Sequence, residues 1–399
     1  MFLLGVAFLP LSDTARADAG FDRWVQSFWP QAKAAGISRA TYDAAFRGVT
    51  PDPSVLKAAA FQPEFTKPIW EYLDGAASQS RIDNGRKKMA EWKPWLDRIE
   101  ATYGVDREVV VAIWGMESSY GSILDNPKIV KSTIRSLATL AYDGGRLQKF
   151  GREQLIAALQ ILQSHDISPR GMTGSWAGAM GHTQFIPTTF LAYAVDADGD
   201  GHRNIWGSVP DALGSTANYL KKSGWRTGET WGYEVVLPKG FNYALADEKT
   251  ARPVSEWAYK YGVRRVGGKQ FPRGSDMGTL FLPAGARGPA FLMLPNFFVI
   301  KKYNNATSYA MGVGHLADRL HGGGPFVQPW PVNDKPLSKT QVEELQQRLM
   351  ATGFLPRSGH VDGKVGPDTR DAIRAYQKSV GLPPDGYPTT ALLARISRS

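Results

Sequence analysis

The sequence predicts a mainly α protein: a helical body that carries a small strand-bearing insertion, followed by a separate helical module at the C-terminus. Three observations carry this reading. From Phe21 to about Leu320, helical patterns alternate with loops punctuated by glycine and proline. Between Lys239 and Phe298 the texture changes to short apolar bursts such as GTLFLPAGARGPAFLML, which suit short strands. The stretch HGGGPFVQPWPVNDKPLS carries four prolines in eighteen residues and cannot continue a helix. It reads as a linker, and beyond it Lys339 to Arg395 returns to helical spacing over a length that suits an independent module.

Composition narrows the function classes. With 399 residues, 43% hydrophobic and 21% charged, the chain suits two or three folded domains and not a disordered protein. It has no cysteine, which excludes disulfide scaffolds, thiolate zinc sites, thiol nucleophiles and lipid attachment through an N-terminal cysteine. The net charge of +10 favours polyanionic partners: nucleic acid, anionic lipid or a carboxylate-rich wall. Lys and Arg are scattered without forming a basic arm, which argues against nucleic acid. The N-terminus opens with an apolar run, Phe2 to Leu11, followed by Ala15 and Ala17, the pattern of a secretory signal cleaved after Ala17 (residues 1–17). The basic leader that usually precedes such a run is missing, which leaves open a start upstream of Met1. No later segment approaches the ~20 apolar residues of a membrane span, so the expected mature protein is exported and soluble.

Along the body, Asp106 to Tyr120 reads as a helix with Asp106 as cap and Val109, Ile113, Met116 and Tyr120 as its buried stripe. Glu117 falls at the edge of that stripe beside Val110, Ile113 and Trp114. A carboxyl at such an apolar boundary favours its protonated form, as a general acid for a glycosidic oxygen requires. Next, GSWAGAMGHTQFIPTTF, residues 174–190, combines three glycines with hydrogen-bonding Ser175 and Gln184 and with Trp176 and Phe185, flat faces that suit a sugar ring. In VDADGDGHRNIW, Asp196, Asp198 and Asp200 alternate before the turn glycine Gly201, a pattern that suits a hard cation, calcium best. The twelfth position is Gly207 where an EF-hand has a bidentate Glu. In the C-terminal module, Leu345, Leu349 and Phe354 mark one apolar helix face and Ala372, Ile373 and Tyr376 another, separated by Asp362-Gly363 and Gly366-Pro367 turns.

Together, the IWGMESSYG and AGAMGHTQFIP segments, with FQPEFTKPIWEYLD near residue 61 and KKYNNATSYAMGVGHLADRL near 301, resemble the catalytic domain of the lytic murein transglycosylase B family. The C-terminal order Leu-Gln-x-x-Leu, Asp-Gly-x-x-Gly-Pro-x-Thr and Gly-Leu-Pro-x-Asp-Gly resembles a type 1 peptidoglycan-binding domain, a three-helix bundle. The first resemblance implies a lysozyme-like helical domain over 18–322 with a small α+β insertion, a linker at 323–338 and the binding domain at 339–399. It implies that Glu117 is the sole catalytic carboxylate, that Ser175 and Gln184 line the cleft beside it, and that Asn304 holds the substrate near the reacting sugar. Tyr219 and Tyr309 complete the wall, with Tyr72 as a looser match. It also points to Asp211 as the closing ligand of a structural calcium site in a lengthened EF-hand-like loop, 196–211, with the His202 carbonyl contributing. The implied activity is cleavage of the β-1,4 bond between N-acetylmuramic acid and N-acetylglucosamine in periplasmic peptidoglycan, forming 1,6-anhydromuramic ends. No organic cofactor is expected, and the partner is the glycan strand; wall-synthesis or wall-remodelling proteins are not specified by the sequence.

Two alternatives stand beside this one. A hydrolytic muramidase would normally need a second carboxylate about 5 to 9 Å from the first; Asp125 is nearest in sequence, but its LDNP setting suits a turn. A non-catalytic wall-binding scaffold would keep the fold, and the intact Glu117, Ser175, Gln184 and Asn304 argue against it.

Overall fold

A computed structural model describes residues 13–61, 67–247, 249–333 and 336–398. The apolar run Phe2–Leu11 of the expected signal lies outside the described residues, as do Gln62 to Thr66 of the FQPEFT motif. The helix Asp13–Ala34 runs through the expected cleavage position after Ala17. The chain is mostly helical and divides into two compact units.

The first unit combines the segment up to Phe61 with Glu117–Asn218. Its centre is the helix Thr133–Asp143, packed on Gln148–Gln163, with Arg39–Phe46 and Pro53–Ala60 alongside. The helix Thr133–Asp143 has an uninterrupted buried stretch from Ser136 to Ala141, so it is covered on all sides. It starts where the Ser132 hydroxyl accepts the Arg135 N–H and stops at Gly144, whose φ of 81° no β-branched residue would tolerate. Gln154, only 3% exposed, accepts both the N–H and the hydroxyl of Thr188, which fixes the start of the short helix Pro187–Tyr193.

The second unit combines Gln62–Met116 with Tyr219–Ser399. Its helix Thr307–Leu320 packs on Ile69–Ala76, Gln79–Glu91 and Pro295–Tyr303. The strand-bearing part is an antiparallel five-stranded sheet in the order Arg252–Pro253, Met277–Phe281, Ala290–Met293, Gly232–Val236, Arg264–Arg265. It therefore starts before the expected Lys239, and Pro295–Tyr303 is helical where strand texture was expected up to Phe298. Proline at the first helical turn supplies a preset φ and needs no donor, which explains the switch. The sheet has its own core around Trp257, fully buried, whose Nε1 donates to the Gly278 carbonyl at 2.8 Å. A tryptophan so placed is worth about 3–5 kcal/mol against alanine.

The described residues of the Gly/Pro segment form no helix, as its prolines require, but they are tied down. Phe326 stacks on His315 at 3.9 Å, Trp330 lies 6.2 Å from Trp70, and Glu234 accepts the N–H groups of Val327 and Gln328. After it come Lys339–Ala351, Pro367–Ser379 and Thr390–Ile396, a three-helix module built around Leu345, Leu349, Ile373 and Tyr376. Ser338 and Gln341 close its first helix with a reciprocal capping box. A buried glutamine on each of the first two helices holds an Asp-Gly turn. Gln346 accepts the N–H groups of Asp362 and Gly363, and Gln377 bonds Asp385 and the N–H of Gly386.

Candidate active site

The helix Arg107–Ser118 is buried from Val109 to Trp114, each of these at most 5% exposed, so it is a central helix and not the one-sided helix that the predicted stripe described. Exposure begins at Met116 and Glu117, both half-buried. The helix also ends earlier than the sequence predicts. It stops at Ser118, and Ser119, Tyr120 and Gly121 follow with φ of 49°, 60° and 86°. A left-handed non-glycine residue costs about 1–3 kcal/mol, so two in succession need firm anchoring. Ser118 provides it: with no exposed surface, its hydroxyl donates to the His182 carbonyl at 3.0 Å and accepts the Gly121 N–H at 3.1 Å.

His182 belongs to the predicted Gly-rich loop, so the end of the helix bearing Glu117 is bonded to that loop. The loop is built by its own small residues. The Ser175 hydroxyl accepts the N–H groups of Ala177 and Ala179 at 3.3 and 3.1 Å, and the Ser175 N–H donates to the Ala179 carbonyl at 2.7 Å. Gln184, with φ of 52°, bonds back to the Gly181 carbonyl through Nε2 at 2.9 Å. Gly181 itself has φ of 60°, and a Cβ there would lie 2.4 Å from the Ile205 carbonyl oxygen. Only glycine fits. Of the two predicted flat faces, Trp176 is half-buried, but Phe185 is 2% exposed and serves the core, so it offers no surface to a sugar. An aromatic between Gln184 and Ile186 had equal claim to either role, and burial won. Asp125 is exposed in the turn that follows Gly121.

The second unit holds the remaining predicted site residues. Tyr219 donates its hydroxyl to the Lys302 carbonyl at 2.5 Å and packs edge-on against Tyr303 at 4.9 Å, which secures the end of the helix Pro295–Tyr303. Asn304 follows that end, exposed, its Oδ1 accepting the Ala306 N–H at 3.1 Å just before the next helix. Tyr309, on that next helix, is 5% exposed. Tyr72 is half-buried with its ring against Gly312, where a Cβ would come within 3.1 Å of its Cε1.

The acidic loop gathers carboxylate oxygens of Asp196, Asp198 and Asp211 within 4.8 Å of one another. Asp211, fully buried in the first turn of Val209–Lys222, accepts the N–H groups of Ala197, Asp198 and Asn204 at 2.7, 3.2 and 2.8 Å. Burial nevertheless pushes its carboxyl above the usual range. Asp196 is held below that range, chiefly by the Gly201 N–H, and Gly201 makes the predicted sharp turn at φ of 93°. Asp200 is not among these three carboxylates; its Oδ1 accepts the His202 N–H at 2.8 Å. The loop is fastened by Arg203, which pairs with the buried Asp166 at 2.6 Å. Burial opposes the Asp166 charge, yet Arg203 and the Ser164 hydroxyl hold its carboxyl below the usual range.

Sequence reasoning missed Ser118 and His182 as a pair. Both lie inside motifs that were singled out, but neither motif tells which carbonyl the serine meets.

Comparison with known proteins gives the family. Residues 20–318, about three quarters of the chain, match the family described as the transglycosylase SLT domain. The chain belongs to that family. Residues 338–396 of this SLT-domain protein match a peptidoglycan binding domain. Over 246 residues it is 34% identical to the membrane-bound lytic murein transglycosylase B of Escherichia coli (strain K12), a match that spans 60% of the chain and 63% of that relative. The crystal structure of SltB3 from Pseudomonas aeruginosa, in complex with NAG-anhNAM-pentapeptide, superposes with a TM-score of 0.90 at 53% identity, covering 94% of this chain and 99% of that one. The Escherichia coli lytic transglycosylase Slt35, solved in complex with calcium, gives a TM-score of 0.59 at 27% identity over 78% of this chain and 94% of that one.

Proposed function

We propose that this SLT-domain protein is a lytic transglycosylase that cleaves the β-1,4 bond between N-acetylmuramic acid and N-acetylglucosamine in peptidoglycan. The observation that carries the reading is the Ser118–His182 bond, which joins the helix end bearing Glu117 to the loop bearing Ser175 and Gln184. In this account the Glu117 carboxyl protonates the leaving glycosidic oxygen. The carboxylate so formed then takes the proton of the muramic acid 6-hydroxyl as that oxygen attacks the anomeric carbon, giving a 1,6-anhydro end. Ser175 and Gln184 orient the sugar beside Glu117, and Tyr72, Tyr219, Asn304 and Tyr309 are the glycan-binding residues of the second unit. Likeness to SltB3 in its NAG-anhNAM-pentapeptide complex supports this product. Digestion of purified wall sacculi tests the reading: falling turbidity with release of soluble muropeptides is expected. A protein that binds sacculi and releases nothing is a scaffold.

We propose an exported, periplasmic protein with a signal at 1–17, a catalytic domain at 18–322, a linker at 323–338 and a wall-binding module at 339–399. No helix among the described residues is long and apolar enough to cross a membrane. Removing residues 339–399 is expected to leave a folded, active catalytic domain with weaker retention on insoluble wall, since the module supplies local concentration. The cut also removes the Asp385 carboxylate from the Ala286 N–H, a 2.9 Å bond, so a small fall in melting temperature accompanies it. Unchanged pull-down on sacculi would refute the binding role.

A calcium ion fits the acidic loop by donor chemistry. Three carboxylates within 4.8 Å repel one another, and a hard divalent cation converts that repulsion into binding. Asp196, Asp198 and Asp211 would hold it, with Asp200 and the His202 carbonyl completing the set, and its contribution is structural. The Slt35 complex with calcium supports this reading. Calcium is expected to raise the melting temperature, chelation to lower it, and Asp198→Ala to erase the response. A wild-type protein indifferent to millimolar calcium would show the loop to be an ordinary turn.

A further inference from the structure

The second unit contains a cavity of about 640 Å³ that none of the predicted site residues lines. Its volume lies within the range of small-ligand sites, roughly 300–1,000 Å³. Trp231 and Phe326 form apolar wall, and Asp318, Arg265, Lys269 and Arg273 bring charge. The charges come from two elements. Asp318 projects from the helix Thr307–Leu320, whereas the three cations come from one stretch that begins at the end of the strand Arg264–Arg265.

Their existing partners leave capacity. Asp318 accepts the Trp231 Nε1–H on Oδ2 at 3.0 Å, and no hydrogen bond to Oδ1 is present among the described residues. Arg265 lies over the Tyr233 ring at 4.7 Å and spends one Nη1 donor on the Gln270 carbonyl at 2.9 Å. Arg273 is already paired with two carboxylates, Asp276 at 3.1 Å and Glu229 at 3.9 Å, whereas exposed Lys269 has no partner among the described residues. The cavity's other carboxylate, Glu234, is already consumed by the Val327 and Gln328 N–H groups. A neutral sugar has no use for charges of both signs. A polyphosphate would meet Asp318, and a polycation would meet the arginines. A ligand that carries both carboxylates and an amino group satisfies both.

We infer that this cavity binds a short amphoteric peptide, its carboxylates on Arg265 and Lys269 and its ammonium on Asp318. The stem peptide of a peptidoglycan strand, with its glutamate and diamino acid, has this chemistry; that choice of source rests on the proposed function. Crowding by the surrounding protein pushes the Asp318 carboxyl up to about 6, and a bound ammonium relieves that cost.

Titration calorimetry of the full chain with N-acetyl-L-Ala-γ-D-Glu-meso-diaminopimelate-D-Ala, whose acylated N-terminus matches that of the strand, tests the inference. Saturable one-site binding is expected, weakened about tenfold or more by Lys269→Glu and by Asp318→Asn, the loss of one charge-assisted contact each. Lys57→Glu makes the same charge change on an exposed lysine of the other unit and should bind as wild type. Melting temperatures establish that the variants fold. Asp318→Asn keeps an acceptor for Trp231, so it tests the charge and not the packing. No binding by wild type at low-millimolar peptide, or equal binding by all variants, overturns the inference. Strand cleavage is scored separately. A chain that cleaves sacculi but binds no peptide refutes the cavity and spares the enzyme, and one that binds peptide through Lys269 and Asp318 but cleaves nothing does the reverse.

Discussion

Replacing Glu117 with glutamine is expected to abolish wall cleavage and leave wall binding nearly intact. The amide is isosteric, and at a half-buried position it keeps the local packing. It cannot give up a proton to the leaving oxygen or accept one from the 6-hydroxyl. A positioned acid or base contributes on the order of 10²–10⁴-fold, and here one group serves in both steps, so a loss of at least about 10³-fold in turnover is expected. The measurement is muropeptide release from sacculi, with pull-down of the same variant as the binding control. Residual activity within tenfold of wild type would mean that another group carries the proton.

The second large effect is conformational. Gly181→Ala places a methyl 2.4 Å from the Ile205 carbonyl oxygen at a residue whose φ is 60°. The obstacle is backbone, and the same oxygen accepts the His182 N–H at 2.9 Å, so it cannot retreat without loosening the loop. A left-handed alanine adds its own cost, and the sum is about 2–4 kcal/mol. A fall in melting temperature of roughly 5–10 °C is expected. Activity should fall further than stability explains, because the His182 carbonyl anchors Ser118, the residue after Glu117, to the loop. Calorimetry and sacculus digestion at a temperature where both proteins are folded separate the two effects. A variant with wild-type melting temperature and activity would show that the loop does not position the helix end.

The parts of this molecule that were legible in the sequence are those where one residue type has one physical reason. Gly201 turns where a turn was predicted, the prolines after Gly324 exclude helix, and Leu345, Leu349, Ile373 and Tyr376 meet in one core as their spacing requires. What was not legible depends on partners distant in sequence. Ser119 and Tyr120 have no intrinsic preference for left-handed backbone, so helical periodicity runs through them; the bond from Ser118 to residue 182 ends the helix. Phe185 is as aromatic as a sugar-stacking residue and is buried. The proline-rich segment reads as a spacer, but Phe326 and Trp330 find His315 and Trp70, contacts that composition cannot announce. The acidic loop falls between these cases. Its alternating aspartates are local and readable, whereas Asp211, which closes the cluster, came only through family resemblance.

Mass spectrometry of the digestion products tests the central claim most directly. The account gives Glu117 the whole of the proton transfer and makes the muramic acid 6-hydroxyl the attacking group in place of water. Each cleavage then yields a 1,6-anhydro end, lighter by one water, about 18 Da, than the end a muramidase leaves through base-activated water or a covalent intermediate. Digestion of sacculi by the full chain is expected to give anhydromuramic ends and no new reducing ends. Products dominated by reducing muramic ends would contradict the account and require a second group to activate water.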